Sequence, residues 1–82
     1  MTPDEIRLER TCGACPEQYD AFVGDMQVGY LRLRHGYFRV EVPDSGGVTV
    51  YETTTIGDGI FADSERDYHL DQARAAIAAR LT

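Results

Sequence analysis

Residues 29–42, GYLRLRHGYFRVEV, carry the strongest fold signal in this chain. Apolar and polar side chains alternate on both sides of His35-Gly36, and alternation around a two-residue turn is typical of a β-hairpin. A register that pairs Arg34 with Tyr37 collects the apolar side chains on one face. These inward-facing residues are Leu31, Leu33, Phe38 and Val40. We therefore expect a hairpin with one buried face and one polar face.

The polar face of this hairpin is the first candidate functional surface. Its register puts Arg32 opposite Arg39, and two cations facing each other across a ladder repel unless an acidic neighbour or an anionic partner neutralises them. Asp20 and Glu41 are the candidate neighbours. Tyrosine and arginine are enriched at binding hot spots, but both are also ordinary residues of a strand surface. The predicted partner-binding residues are Tyr30, Arg32, Arg34, Tyr37, Arg39 and Tyr51.

Composition narrows the class of protein. The 82 residues suffice for one domain, residues 1–82, and their hydrophobic content of 43% is ordinary for a folded domain. Fourteen acidic residues against eight basic ones give a net charge of −6, which opposes general binding of nucleic-acid phosphates and favours a positively charged protein partner. Without an apolar run after a basic start, or an apolar stretch of spanning length, we expect a cytoplasmic protein that does not enter the membrane.

The segments that flank the hairpin extend it to a meander. Period-2 alternation predicts strands over residues 6–10, 18–23, 27–34, 37–42 and 48–53. The five-residue loop before the last strand is expected to turn Val48 and Val50 inward and Thr49 and Tyr51 outward.

A helix is predicted to follow a loop anchored by Ile56, Ile60 and Phe61. Ser64 is the expected N-cap, with acidic residues in the first turn. The apolar stripe at helical spacing comprises Leu70, Ala73, Ile77 and Leu81. The predicted fold is α+β, an antiparallel meander of four to five strands with one C-terminal helix packed on one face.

Cys12 and Cys15 have the two-residue spacing of a zinc knuckle, which is half of a tetrahedral site. In a meander, the loop after the first strand, the hairpin tip with His35 and the helix start before His69 lie at one end of the sheet. A zinc site made of Cys12, Cys15, His35 and His69 is therefore admissible, although the spacing does not match a zinc finger. The alternatives are a redox dithiol, or inert thiols with a turn histidine and a solvated helical histidine.

No sequence signature supports catalysis, and so short a chain has little volume for a substrate pocket. We expect a non-enzymatic binding module that engages a protein partner through the outer sheet face or through its acidic surface. Two alternatives stay open: a small zinc-stabilised domain, and nucleotide or single-stranded nucleic-acid binding through the same tyrosines and arginines. Pairing of two chains into a homodimer also stays open.

Three stretches resemble small uncharacterised proteins of GC-rich bacteria and their phages: CGACPEQYDAF (12–22), VGYLRLRHGYFRV (28–40) and GDGIFADSER (57–66). The resemblance would cover most of the chain. The resemblance implies a phage or prophage accessory protein, and small acidic phage proteins commonly act by binding and blocking host proteins. It implies no particular activity and no particular functional residue.

Overall fold

A computed structural model describes residues 2–12 and 16–81. Within these ranges, five antiparallel strands form one sheet in chain order, and one long helix follows them. The elements are β1 Arg7–Cys12, β2 Glu17–Val23, β3 Met26–Arg34, β4 Tyr37–Val42, β5 Val48–Thr54 and α1 Asp63–Leu81, with a short 3₁₀ helix at Pro3–Glu5. The predicted α+β meander with a C-terminal helix is confirmed.

The hairpin of β3 and β4 has the predicted register. Its pairs are Tyr30 with Glu41, Leu31 with Val40, Arg32 with Arg39, Leu33 with Phe38, and Arg34 with Tyr37. His35 and Gly36 form the turn, with φ of 54° and 72°, and a type I′ turn requires positive φ at both central positions. Histidine is among the few non-glycine residues enriched in this region of φ.

The core lies between α1 and one face of the sheet. Its largest fully buried apolar side chains are Leu31, Leu33, Phe38, Val40 and Ile77. Gly29 permits the close approach of the helix, because an added Cβ there would lie 2.7 Å from Cδ1 of Ile77. No described helix or strand packs on the opposite sheet face, so its side chains meet solvent or a partner.

The facing of β5 differs from the prediction from Tyr51 onward. A bulge makes Val50 an extra residue, between the pairs Glu41 with Thr49 and Val40 with Tyr51. Tyr51 therefore lies on the core face, where its ring meets Phe38 edge-on with centroids 6.0 Å apart. Glu52 takes the outward position opposite Arg39. The prediction that Tyr51 belongs to the outer face is wrong because the bulge reverses the alternation of side chains.

The start of α1 also differs from the prediction. The helix begins at Asp63, and the carbonyl of Ala62 accepts its first hydrogen bonds, so Ser64 is not the N-cap. The carboxylate of Glu65 accepts the backbone N–H of Ala62 at 2.9 Å, as the acidic member of a capping box does.

The buried line of the helix is shifted toward its N-terminus. Glu65, His69, Ala73 and Ile77 follow one another at four-residue spacing and are all buried. Leu70 packs against the core from a half-buried position, whereas Leu81 is 42% exposed. In the preceding loop Phe61 is buried, but Ile56 and Ile60 are exposed, so only Phe61 anchors the loop in the core. Neither α1 nor any other helix in the described ranges is long and apolar enough to cross a bilayer.

Candidate binding surface at the hairpin end of the sheet

Three segments meet at one end of the sheet: the hairpin tip, the start of β2 and the loop between β5 and α1. The N–H of Gly36 donates to the carbonyl of Asp58 at 2.6 Å, and the N–H of Thr55 donates to the carbonyl of Gly36 at 2.9 Å. Glu17 N–H donates to the carbonyl of Gly59 at 2.8 Å. These backbone bonds fix the loop against both strands, so the backbones of all three segments keep defined positions.

Glu17 is a buried carboxylate with several donors, and its side chain is 0% exposed. Arg66 Nε donates to it at 3.0 Å, the N–H of Phe61 donates at 3.0 Å, and the Tyr19 hydroxyl donates as well. Burial alone would raise the pKa of Glu17, but these hydrogen bonds outweigh burial and lower it. Burial and the bond to Glu17 raise the pKa of Tyr19 to about 12. Glu17 therefore joins β2 to the start of α1 as an ionised carboxylate.

Glu65 organises the same loop from the helix. Its carboxylate accepts the backbone N–H groups of Ile56 at 2.9 Å, Gly57 at 2.8 Å and Ala62 at 2.9 Å. Burial opposes ionisation here too, yet the backbone hydrogen bonds lower the pKa of Glu65. The buried Glu65 carboxylate thus holds the loop beside the hairpin tip through hydrogen bonds to its backbone.

Most polar side chains on the outer sheet face are paired. The Tyr37 hydroxyl donates to Glu52 at 2.5 Å, a bond that raises the pKa of Tyr37. Arg39 lies 3.7 Å from the carboxylate of Glu41, as the sequence suggested. Two further pairs are Tyr30 with Gln18 at 3.0 Å and Gln27 with Asp20 at 3.2 Å. Asp20 thus contacts Gln27, and the expected neutralisation of Arg32 by Asp20 is not observed.

Arg32 and Arg34 form the exception. Neither side chain makes a hydrogen bond or an ion pair with any residue in the described ranges, a property they share with Arg80 on the last turn of α1. The other arginines each pair with a carboxylate: Arg7, Arg10, Arg39, Arg66 and Arg74. We name the surface formed by Tyr30, Arg32, Arg34, Tyr37 and Arg39 the Tyr/Arg face.

Two clefts flank these two arginines. The larger, which we name the tip cleft, has a volume of about 420 Å³, and its polar lining comes from Gln18, Arg32, Arg34, His35 and Asp58. The smaller, of about 270 Å³, lies between the same arginines and the side chains of Tyr37 and Arg39. Arg32, Arg34 and His35 line both clefts, so they form the ridge between them.

The predicted zinc ligands do not converge in the part of the chain that the structure describes. Cys15 lies outside that part. Cys12 ends β1, His35 is exposed at the hairpin tip, and His69 is buried with its ring stacked on Phe61 at 5.4 Å between centroids. Among the described residues, no three histidine, cysteine or acidic side chains lie close enough together to hold a metal ion.

The alternative interpretation of His69 as a solvated residue is wrong. His69 is only 8% exposed. Its Nε2 lies 3.3 Å from Glu65, and its Nδ1 has no hydrogen-bond partner among the described residues.

The predicted site lacks three residues that the structure places at this end of the sheet: Glu17, Glu65 and Asp58. Sequence spacing indicates the buried positions of Glu17 and Glu65. Glu17 stands two residues before Tyr19, so strand alternation puts both on the core face. Glu65 stands four residues before His69, so both lie on the same face of the helix. Asp58 has no such signal, because it lies in a loop.

No protein-family model, curated protein sequence or solved structure matches the chain. The resemblance to bacterial and phage proteins stays a prediction. The proposed function therefore rests mainly on the geometry and charge of the surface.

Proposed function

We propose that this chain is a non-enzymatic binding module that holds an acidic segment of a protein partner on its Tyr/Arg face. The observation that carries the proposal is the lack of any described partner for Arg32 and Arg34. Acids outnumber bases by fourteen to eight in this chain, and five other arginines have found a carboxylate. Two adjacent guanidinium groups without one present ten N–H donors to a ligand, in the planar arrangement that carboxylates match.

The surroundings of these arginines fit a protein interface. The sheet face is not covered by any described element, and it combines arginine with tyrosine, two residue types enriched at hot spots. The pairs Tyr37 with Glu52 and Tyr30 with Gln18 hold the rings in place before a partner arrives. Such preorganisation reduces the entropy lost on binding.

Charge favours a short acidic segment over a nucleic-acid strand. The net charge of −6 repels a polyanion that extends past the Tyr/Arg face. Because the Debye length is about 8 Å at physiological ionic strength, a short segment interacts mainly with the arginines next to it. Blocking of a host protein, the role implied by the phage resemblance, is one use of such a surface.

Fluorescence anisotropy with a labelled hexaglutamate peptide tests the proposal. We compare Arg34→Glu with Arg80→Glu. Both arginines are exposed and lack described partners, and the two substitutions change the net charge equally. Loss of charge-assisted hydrogen bonds should weaken binding about ten-fold or more in Arg34→Glu. Arg80→Glu should stay within about two-fold of the wild type. Arg80 lies about 22 Å along α1 from Glu65, which contacts the loop at the hairpin end, and this exceeds the Debye length.

Equal weakening in both variants would overturn the proposal, because net charge alone would then explain the binding. A labelled ten-residue oligothymidine serves as the competing ligand. If it binds more tightly than hexaglutamate and Arg34→Glu abolishes that binding, the Tyr/Arg face is a nucleic-acid site and the proposal is wrong.

A further inference from the structure

We infer that the tip cleft recognises a peptide carboxylate together with a neighbouring N–H group, and that Asp58 reduces its affinity for phosphate. This inference rests on the proposed function, since it names the ligand group that the Tyr/Arg face would take. In this cleft Arg32 and Arg34, which have no partner among the described residues, meet a carboxylate that also has none there, and this carboxylate comes from the loop after β5.

One wall of the tip cleft is cationic. Arg32 and Arg34 are separated by one residue on β3, so their side chains leave the same face about 7 Å apart along the strand. That spacing lets one carboxylate accept N–H groups from both guanidinium groups, or lets two adjacent acidic groups take one arginine each. His35 stands at the rim, held there by the positive-φ turn.

Asp58 supplies the negative charge of the cleft. Its backbone carbonyl accepts the N–H of Gly36 at 2.6 Å, which fixes its position relative to the hairpin tip. Its carboxylate makes no hydrogen bond or ion pair with any residue of 2–12 or 16–81, so it remains available to a donor. An acidic peptide carries such a donor, a backbone N–H, within a few ångströms of its side-chain carboxylate.

The same aspartate discriminates between anions. A phosphate monoester carries a charge of about −1.5 to −2 at neutral pH, so Asp58 repels it up to twice as strongly as it repels a carboxylate. Arg32 and Arg34 attract the phosphate more strongly as well, so Asp58 reduces the affinity for phosphate without reversing the attraction. A singly charged carboxylate with an adjacent N–H fits both walls.

The test compares two six-residue peptides that differ at one position, glutamate in one and phosphoserine in the other. Dissociation constants come from ¹⁵N–¹H correlation spectra of the whole chain during titration. The variants are Asp58→Asn and, as a matched control, Asp44→Asn, an exposed aspartate in the turn at the opposite end of β4.

We expect Asp58 to weaken binding of the phosphoserine peptide more than binding of the glutamate peptide. Removal of the repelling charge in Asp58→Asn should therefore strengthen phosphoserine-peptide binding about three- to ten-fold and glutamate-peptide binding by a smaller factor. Asp44→Asn should behave as the wild type. An equal gain for both peptides in Asp58→Asn, or equal changes in Asp58→Asn and Asp44→Asn, would overturn the inference.

The outcomes separate this inference from the proposed function. If the glutamate peptide shifts no resonance of the Tyr/Arg face, the proposed function is wrong. If it shifts that face but the relative affinity for the two peptides does not depend on Asp58, the proposed function stands and only the inference about the tip cleft is wrong.

Discussion

At one place in the sheet, Glu17 lies on the core face and Arg32 and Arg34 lie on the outer face. The surroundings of the carboxylate and of the two guanidinium groups differ completely. Glu17 pairs across the ladder with Leu33, the residue between the two arginines. On the core face, the Glu17 carboxylate is enclosed and meets donors from Arg66, Tyr19 and Phe61. On the outer face, the two guanidinium groups meet no described partner. The first arrangement serves the fold, and we assign the second to binding.

The largest expected loss of stability follows from substitution of Glu17 on the core face of the sheet. Glu17→Ala removes the acceptor of Arg66 Nε, of the Tyr19 hydroxyl and of the Phe61 N–H, and we expect a loss of about 3 kcal/mol in the free energy of unfolding. Urea denaturation measures it.

Two variants control this measurement. Glu17→Gln keeps the shape and an acceptor oxygen, so its loss should be smaller. Glu9→Ala breaks the exposed pair with Arg7 and should cost at most about 1 kcal/mol. If Glu17→Ala is no worse than Glu9→Ala, the network around Glu17 does not hold the loop.

The next effect concerns the loop that forms one wall of the tip cleft. Glu65→Ala removes the acceptor of three backbone N–H groups, and we expect a loss of about 2 kcal/mol. Faster amide exchange should appear at Ile56, Gly57 and Ala62, measured by hydrogen exchange. Asp67→Ala, an exposed acid in the same helical turn, should change neither quantity; matching exchange rates in the two variants would contradict the role of Glu65.

Acid should reduce the free energy of unfolding that Glu17 and Glu65 contribute. The pKa values of Glu17 and Glu65 are lowered in the folded chain, so the unfolded state takes up protons first as the pH falls. Their contribution to stability is fully present above the ordinary glutamate value near 4.5 and is lost as the pH drops through the folded values. Urea midpoints between pH 7 and pH 3 should fall less steeply in Glu17→Gln, and an unchanged slope would contradict this assignment.

The smallest expected effect is on the outer face. Arg34→Ala removes no described contact, so its free energy of unfolding should stay within about 0.5 kcal/mol of the wild type. Arg32→Thr relieves the repulsion from Arg39 and should leave stability unchanged or raise it by up to about 0.5 kcal/mol. A loss above about 1.5 kcal/mol in either variant would show that these arginines stabilise the fold, as Glu17 does, and would contradict their assignment to binding.

The hairpin was predictable because its pattern has an exact period of two and a turn that fixes the register. Local sequence alone determines which of Leu33 and Arg34 faces the core. The helix was predictable in position but not at its start, because the residue that caps Ala62 is a glutamate whose side chain also serves the preceding loop.

The facing of Tyr51, the burial of Glu17 and the tip cleft depend on contacts or irregularities that the local sequence does not indicate. The bulge at Val50 turns Tyr51 inward, and nothing in the run from Val48 to Thr54 marks the extra residue. The burial of Glu17 depends on Arg66, which lies 49 residues away. The tip cleft depends on Asp58, which the chain brings to the hairpin only after β5 and its loop are in place.

Side-chain NMR of the arginines tests the central claim most directly. Unlabelled hexaglutamate is titrated into ¹⁵N-labelled protein while the Nε–Hε resonances are followed, with Arg80 as the internal reference for nonspecific attraction. We expect the Arg32 and Arg34 resonances to shift together and to saturate, while the Arg80 resonance stays in place. Shifts of equal size at Arg80, or no shift at Arg32 and Arg34, would contradict the assignment of these two arginines to binding.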